Sequence, residues 1–300
     1  MGILVLRLFW PSDGLYKKTK NPLFDYFMGI ELYPHITPVI SLKLWITSRF
    51  GIMLWQYVML LCWKANFETL PDGVFNYSLS ATTLLQTIYI TKFYYWEEAY
   101  NKGFDVTECL YGFYFCWGSI AFMPGFFTIT SLYLVDNSPY DAFGIKSFIT
   151  VIIGGIISIG LNTWADEQKL YFRSNNGKCI IWGKPAKLIR AEYIDDFGQN
   201  KRNILLTSGF WGISRHMNYL FEFMLNLLWC LPALFASPIP YMCLIFVTGF
   251  LFDRCNKNEE KCKLKYGHYW QQYTNQILMR MCLAKFIHRY EFTLAQEPEL

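Results

Sequence analysis

Residues Leu205–Tyr219 read LLTSGFWGISRHMNY, and an apolar run opens at Leu220 directly behind them. The stretch gathers Ser208, Trp211, Arg215, His216, Asn218 and Tyr219, the densest set of polar and aromatic recognition groups in the chain. Such a cluster at the mouth of a hydrophobic segment has two readings. One is the lip of a membrane helix, with a snorkelling arginine and belt aromatics. The other is a site that holds a polar ligand at the membrane surface. Under both readings the segment that follows is a membrane helix.

Composition points the same way. Of 300 residues, 53% are hydrophobic and 19% aromatic, and only 17% are charged, where an ordinary soluble domain carries roughly a quarter. The formal charge of +4 does not mark a nucleic-acid partner, because the basic residues flank apolar runs and form no dense patch; positive-inside topology accounts for them better. Nine cysteines show no CxxC pair and no His partner at zinc spacing. They read as core or cytosol-facing thiols, with neither disulfides nor metal expected. The opening MGILVLRLFW is too short for a span and lacks a signal-peptide cleavage site. Leu6 stands where a myristoylation signal needs Ser or Thr.

The expected fold is an all-α polytopic membrane bundle. Apolar length places spans at about 44–64, 79–96, 111–135, 146–164, 219–236 and 239–252. Pro124-Gly125 falls in the middle of the third and predicts a kink or break. Ser237-Pro238-Ile239-Pro240 leaves room only for a helical hairpin turn between the last two. Lys and Arg concentrate before residue 50, from 165 to 217 and after 252, which places these pieces and both termini in the cytosol. Asn76-Tyr77-Ser78 is then a lumenal glycosylation sequon, set very close to the next span. The chain divides into an N-terminal segment 1–43, four helices over 44–164, and 165–300 with two helices, a cytosolic piece and the tail.

Two cytosolic stretches carry further signals. Lys169 and Arg173 are four apart in DEQKLYFR and share a helix face at the end of the fourth span. They can anchor the helix to headgroups or clamp a phosphate, since Arg offers a fork of donors and Lys a point charge. In the tail, Cys255 and Cys262 lie two turns apart on a helix. Tyr266, Trp270 and Tyr273 continue at near-helical spacing, more often a packing stripe than a ligand shelf, and Gly267 between them suggests a tight turn.

Taken together, FDYFMGIELYP (24–34), KLYFR (169–173), GKCIIWGKPAK (177–187), LLTSGFWGISRHMNY and RCNKNEEKCKLKYGHYWQQY (254–273) resemble the sterol reductases of the endoplasmic reticulum. The motifs stand in the family's order from about Pro22 to Phe286, and are most similar to the delta-7 branch. The resemblance implies a multi-pass endoplasmic-reticulum enzyme that reduces a sterol ring double bond with NADPH. Its sterol would enter from the bilayer, with no metal and no nucleic acid involved. The family's cofactor positions carry over to Lys169, Arg173, Leu206, Trp211, Asn218, Tyr219, Cys262, Tyr266 and Tyr273, joined by Arg215 and by Asn258, where the family has Asp. On this reading 44–164 is the sterol-pocket half and 165–300 the cofactor half. Lys169 and Arg173 suit the phosphates, Trp211 and the tyrosines suit the rings, and Asn218 supplies directional hydrogen bonds. There is no GxGxxG fingerprint, and Gly154-Gly155 is a decoy inside a span.

The substrate half departs from the family pattern. Glu97 is kept among changed neighbours, a family Asp is Lys92, a His-Asp pair becomes Glu108-Cys109, another Asp is Ser119, and a Gly-Asp pair after Tyr219 becomes Phe221-Glu222. Each change removes or moves a carboxylate, and a buried carboxylic acid is a natural proton donor for an alkene. The remaining candidates are Glu97, Glu108, Tyr219 and Glu222, with Tyr266 behind them. Phe221 in place of glycine would set a ring beside the cofactor. Family members also carry more helices before the FDYFMGIELYP motif than the twenty or so residues here. Two other readings stay open: a family member that binds nucleotide or sterol without turnover, and an isoprenylcysteine-type methyltransferase, suggested by Arg215-His216, Asn218-Tyr219, Glu259-Glu260 and Tyr266-Gly267.

Overall fold

The computed structural model describes residues 19–37, 40–71, 73–100, 104–107, 109–194 and 198–280. They form two units, Met1–Ile152 with Trp229–Cys243, and Ile153–Leu228 with Leu244–Leu300.

In the first unit, three features of the sequence explain the helices. The long apolar helix Leu42–Thr69 contains a π-helical stretch, Ile46–Ile52. Its neighbour Tyr77–Tyr95 turns a polar face inward, burying Ser78, Ser80, Thr82, Thr83 and Gln86. Side-chain hydrogen bonds join the two: Trp55 Nε1 donates to Gln86 Oε1 at 2.9 Å, Gln56 Nε2 to Thr87 Oγ1 at 3.0 Å and Trp63 Nε1 to Ser80 Oγ at 3.1 Å. Small and hydroxyl residues at such an interface are typical of helices associating in lipid, where apolar burial provides little drive. In the third helix, Phe113–Asp136, Pro124 does not break the chain. The backbone takes a π-helical turn over Gly118–Phe122 just before it, which accommodates the missing N–H, and Thr128 Oγ1 caps the Pro124 carbonyl at 2.8 Å.

The FDYFMGIELYP motif builds a short helix, Pro22–Met28, capped by Asn21. Asp25 is buried and accepts from Thr19 Oγ1 at 2.7 Å. Gly29 follows at φ +92°, and a Cβ there would lie 2.3 Å from the Tyr111 carbonyl carbon, so only glycine lets these backbones meet.

The second unit corrects the all-α expectation. Ile180–Ile181 pairs with Lys184–Pro185, and Leu188–Ile194 pairs antiparallel with Asn200–Leu206. LIRAEYI alternates as a strand should, with Ile189 and Ala191 buried while Arg190 and Glu192 face out. The tail helix His268–Gln276 packs Tyr273 and Ile277 over Ile189. Gly267, at φ +52°, makes the expected turn between Met242–Tyr266 and this helix.

Three of the six expected spans are helices long and apolar enough to cross a membrane: Leu42–Thr69, Phe113–Asp136 and Ile145–Ser174. The other three positions are helical but fall short of that standard. Tyr77–Tyr95 is too rich in Ser, Thr and Gln, Met217–Cys230 has 14 residues, and Met242–Tyr266 turns charged after Phe252.

Candidate functional site

The Ile145–Ser174 helix carries Asp166, Gln168, Lys169 and Arg173 near its end. Gln168 Oε1 accepts the Phe210 N–H at 2.9 Å, while the Ala165 carbonyl accepts the Trp211 indole N–H at 2.9 Å. These two bonds fix the short helix Phe210–Ile213 and bury Trp211 among Ala165, Phe172, Ile181, Leu206, Phe210 and Phe221. Gly209 makes the entry possible at φ +65°, because a Cβ would stand 2.3 Å from Gln168 Oε1. The Lys169 ammonium then lies 4.0 Å from the centre of a Trp211 ring, a cation–π contact.

Asn218 Nδ2 donates to Asp166 Oδ1 at 3.2 Å, and its backbone carbonyl accepts from Asn162 Nδ2 at 3.0 Å. Asn218 Oδ1 is buried without a partner. Tyr219 stacks on His216, centroids 4.8 Å apart, and its hydroxyl oxygen accepts from Asn258 Nδ2 at 3.2 Å. Tyr266 is arranged the same way, its oxygen accepting from Asn203 Nδ2 at 2.7 Å. Trp270 stacks on Tyr266 and Tyr273 on Trp270. Burial pushes the Tyr266 hydroxyl above the usual phenol range, with the Asn203 bond opposing, and burial raises Tyr273 further. Cys262 is likewise raised by burial, with Lys169 opposing.

Arg215 meets Glu259 at 2.9 Å, an ion pair whose side chains are 9% and 18% exposed. Its alignment falls short of a hydrogen bond, so the attraction is charge on charge. The tail closes on the same residue. The Arg215 N–H donates to the Met279 carbonyl at 3.1 Å, and Ser214 Oγ donates to the Arg280 carbonyl at 3.3 Å. His216 sits among these cations. Burial first, then Lys169, Arg215 and Arg280, drive its pKa down to about 3, so the ring is neutral at physiological pH.

The residues named from sequence fall as follows. Lys169, Trp211, Arg215, Asn218, Tyr219, Asn258, Cys262, Tyr266 and Tyr273 all lie in the second unit. Lys169, Arg173, Asp166 and Cys262 are within electrostatic reach of one another or of Tyr266. Leu206 is a core residue beneath Trp211. Phe221 turns its ring into that core, 5.7 Å and 86° from Phe210. Glu222 is partly buried on the Met217–Cys230 helix. Glu97 belongs to the first unit, where both its oxygens take hydrogen bonds from the Arg49 guanidinium at 2.8 and 3.0 Å. Glu108 lies outside the described residues.

Sequence reasoning missed several neighbours. Asp166 precedes Lys169 by three residues on one helix, a spacing that could have revealed it. Arg254 lies within electrostatic reach of Tyr219 and stands four residues before Asn258. Asn203 and Gln168 reach partners 63 and 42 residues away, for which the chain carries no local signal.

Chemically, the second unit offers cations in excess of acids. Among the described residues neither Lys169 nor Arg173 has a carboxylate at ion-pair distance, while Asn218, bonded to Asp166 on the same helix, presents an unused acceptor. Such a set suits phosphate oxygens, with Trp211 and the tyrosines as flat walls for a ring. No group of three His, Cys, Asp or Glu among the described residues could hold a metal ion.

Comparison with known proteins shows the family of the chain. The model of the ergosterol biosynthesis ERG4/ERG24 family matches residues 13–286. The 7-dehydrocholesterol reductase of Arabidopsis thaliana is 36% identical over 271 residues, 90% of this chain and 62% of that protein. That of Xenopus laevis is 35% identical over 284 residues, 94% of this chain and 59% of that protein. The delta(14)-sterol reductase of Methylotuvimicrobium alcaliphilum is 33% identical over 276 residues, 91% and 61%. The chain spans about three-fifths of the length of these curated relatives.

Proposed function

The chain belongs to the ergosterol biosynthesis ERG4/ERG24 family, and from this we propose that it reduces a ring double bond of a sterol with NADPH. The observation that carries the reading is the pair Lys169 and Arg173, two cations on one helix face with no carboxylate at ion-pair distance among the described residues; Lys169 lies over Trp211, and Asn218 is bonded to Asp166 three residues before Lys169. Family membership also displaces the methyltransferase reading.

Bound there, NADPH supplies the hydride that one alkene carbon receives. Lys169 and Arg173 hold phosphate oxygens, the 2′-phosphate among them, which favours NADPH over NADH. Trp211 and Tyr266 wall the rings, and Asn218 Oδ1 accepts from a donor of the cofactor. Tyr219 gives the proton that the other alkene carbon needs. Its oxygen already accepts from Asn258, which leaves the O–H free to donate outward and stabilises the tyrosinate left behind. Burial works against that anion, and Arg254, within electrostatic reach, opposes this together with Asn258; solvent returns the proton. Glu97 suits the task less, because both of its oxygens are already engaged by the Arg49 guanidinium.

The double bond we favour is the delta-7 bond, with 7-dehydrocholesterol as substrate and cholesterol as product; the delta-14 bond is the alternative that the relatives also support. The site of action is the endoplasmic-reticulum membrane, with both termini in the cytosol. The test is NADPH oxidation by purified protein in detergent, with 7-dehydrocholesterol or a delta-14 sterol added and products read by mass spectrometry. Saturated product formed one-for-one with NADPH consumed is the expected result. A chain that binds no NADPH overturns the proposal. Binding without product would favour the second reading, a nucleotide-binding relative that does not turn over, for which the Arg49–Glu97 lock is the supporting observation.

A further inference from the structure

The hairpin Ile180–Pro185 is small, yet it exposes two large apolar side chains, Ile180 at 69% and Trp182 at 49%. Trp182 sits at φ +50° and Gly183 at φ +75°, the pair of left-handed residues that a tight hairpin turn requires and that Asn-Gly normally supplies. A bulky side chain in that conformation is strained. The strain is retained at a position where the indole faces outward.

The indole also has a defined address. Its ring meets Trp164 at 6.3 Å and Phe210 at 5.0 Å, and Trp164 meets Phe210 at 5.1 Å. Trp164 lies on the Ile145–Ser174 helix and is itself half exposed. From Ile145 to Trp164 the helix rises about 28 Å, against a hydrocarbon core of about 30 Å. Ile145, Ile149, Ile153, Ile156 and Ile157 are exposed along that length, and the first charged residues after it are Asp166 and Glu167. Trp164 therefore marks the level where hydrocarbon gives way to headgroups, and Trp182 stands beside it. Lys178, Lys184 and Lys187 are exposed around the hairpin, matching anionic headgroups in charge.

We propose that the Ile180–Pro185 hairpin is a membrane foot: Trp182 and Ile180 enter the headgroup–acyl boundary next to Trp164, and the flanking lysines engage acidic lipid. Phe210, gripped between the two indoles, carries this depth directly to Trp211. The foot thereby fixes the height of the recognition cluster above the bilayer. A tryptophan at this boundary is favoured because its ring is apolar and its N–H wet.

The test uses the full chain and its Trp182→Phe variant in phosphatidylcholine bilayers brominated at shallow or deep acyl positions. The emission lost in the variant belongs to Trp182. It is expected to be blue-shifted from aqueous indole, quenched several-fold more by shallow than by deep bromines, and insensitive to aqueous iodide. Iodide-quenched emission that ignores bromolipid overturns the foot, and so does emission reached by neither quencher, which would mean that protein covers the hairpin. Trp164→Phe is the control for the span itself. If Trp164 is quenched by shallow bromines and Trp182 is not, the foot falls while the span stands; if neither responds, both fall. Phosphatidylserine is expected to shift the Trp182 emission further to the blue in the parent but not in a Lys178→Gln, Lys184→Gln double variant; equal shifts in both would remove the lysines from the proposal.

Discussion

The Lys169 ammonium stands 4.0 Å from the ring of Trp211, whose indole N–H is in turn tied to Ala165, four residues before Lys169 on the same helix. Cation and wall are thus positioned by one rigid element. Lys169→Met keeps the stem and removes the charge, and the first prediction is that it weakens NADPH binding at least tenfold in a titration with detergent-solubilised protein. Adding Arg173→Ala should bring the total loss to about 3 kcal/mol or more, for two charge-assisted contacts. A double variant that binds NADPH as tightly as the parent would remove the phosphate clamp.

Tyr219→Phe separates binding from chemistry. The substitution keeps the ring stacked on His216 and deletes only the proton and the acceptor of the Asn258 bond. NADPH affinity is expected to change by less than about threefold, while turnover falls by about a hundredfold or more, the usual worth of a positioned general acid. Equal loss in Kd and kcat would make Tyr219 a cofactor contact and nothing else.

Gly209 is fixed by backbone shape and by its neighbour together. Gly209→Ala must place a Cβ in the left-handed region and against Gln168, whose Oε1 holds the Phe210 N–H. Strain of this kind costs about 1–3 kcal/mol, so the variant should unfold at lower temperature and lose NADPH affinity with it, because Trp211 is only two residues away. An unchanged melting curve would show that Gln168 yields freely.

Much of this site was legible because its groups are local. Lys169 and Arg173 are four apart beside an apolar run, and the LLTSGFWGISRHMNY cluster is contiguous. What escaped depended on distant partners or on surroundings reversed from those of water. Asn203 reaches Tyr266 across 63 residues. Pro124-Gly125 suggested a kink or break, but not the π-helical turn just before it that absorbs the lost hydrogen bond. The span expected at 79–96 is the helix Tyr77–Tyr95, whose Ser, Thr and Gln side chains, buried against protein, leave it less apolar than a membrane-crossing helix. The hairpin Leu188–Ile194 with Asn200–Leu206 does alternate in sequence, but the strand period was hidden between segments read as helical or cytosolic.

His216 predicts the direction of a pH effect. Its pKa is about 3 when folded, against an ordinary value near 6.5. Between those values the unfolded chain binds the proton and the folded chain does not, so acid favours unfolding. The contribution is full above about pH 6.5, shrinks as pH falls, and stops changing below about 3. By pH 5 roughly 2 kcal/mol of it has been lost. His216→Phe, which keeps a ring against Tyr219, should flatten the loss of thermal stability between pH 7.5 and pH 5 by about that amount; parallel curves for both proteins would place the titration elsewhere.

Asn76 opens the one sequon weighed from sequence, and the fold already uses its whole amide. Nδ2 donates to Asn66 Oδ1 at 2.9 Å and Ser138 Oγ at 2.7 Å, while Oδ1 caps the Tyr77–Tyr95 helix through the Leu79 N–H at 3.0 Å. The residue is 4% exposed. A glycan on Nδ2 would have to displace two acceptors, one of them on the buried Asn66. Chain made in glycosylating microsomes should therefore show no mobility shift on endoglycosidase treatment. Asn76→Ala removes a helix cap worth about 1 kcal/mol and strands buried partners at about 1–3 kcal/mol, so the two together should lower stability by about 2–4 kcal/mol in chemical denaturation. A glycosylated chain that still melts like the unmodified protein would mean that Asn76 is free of this network.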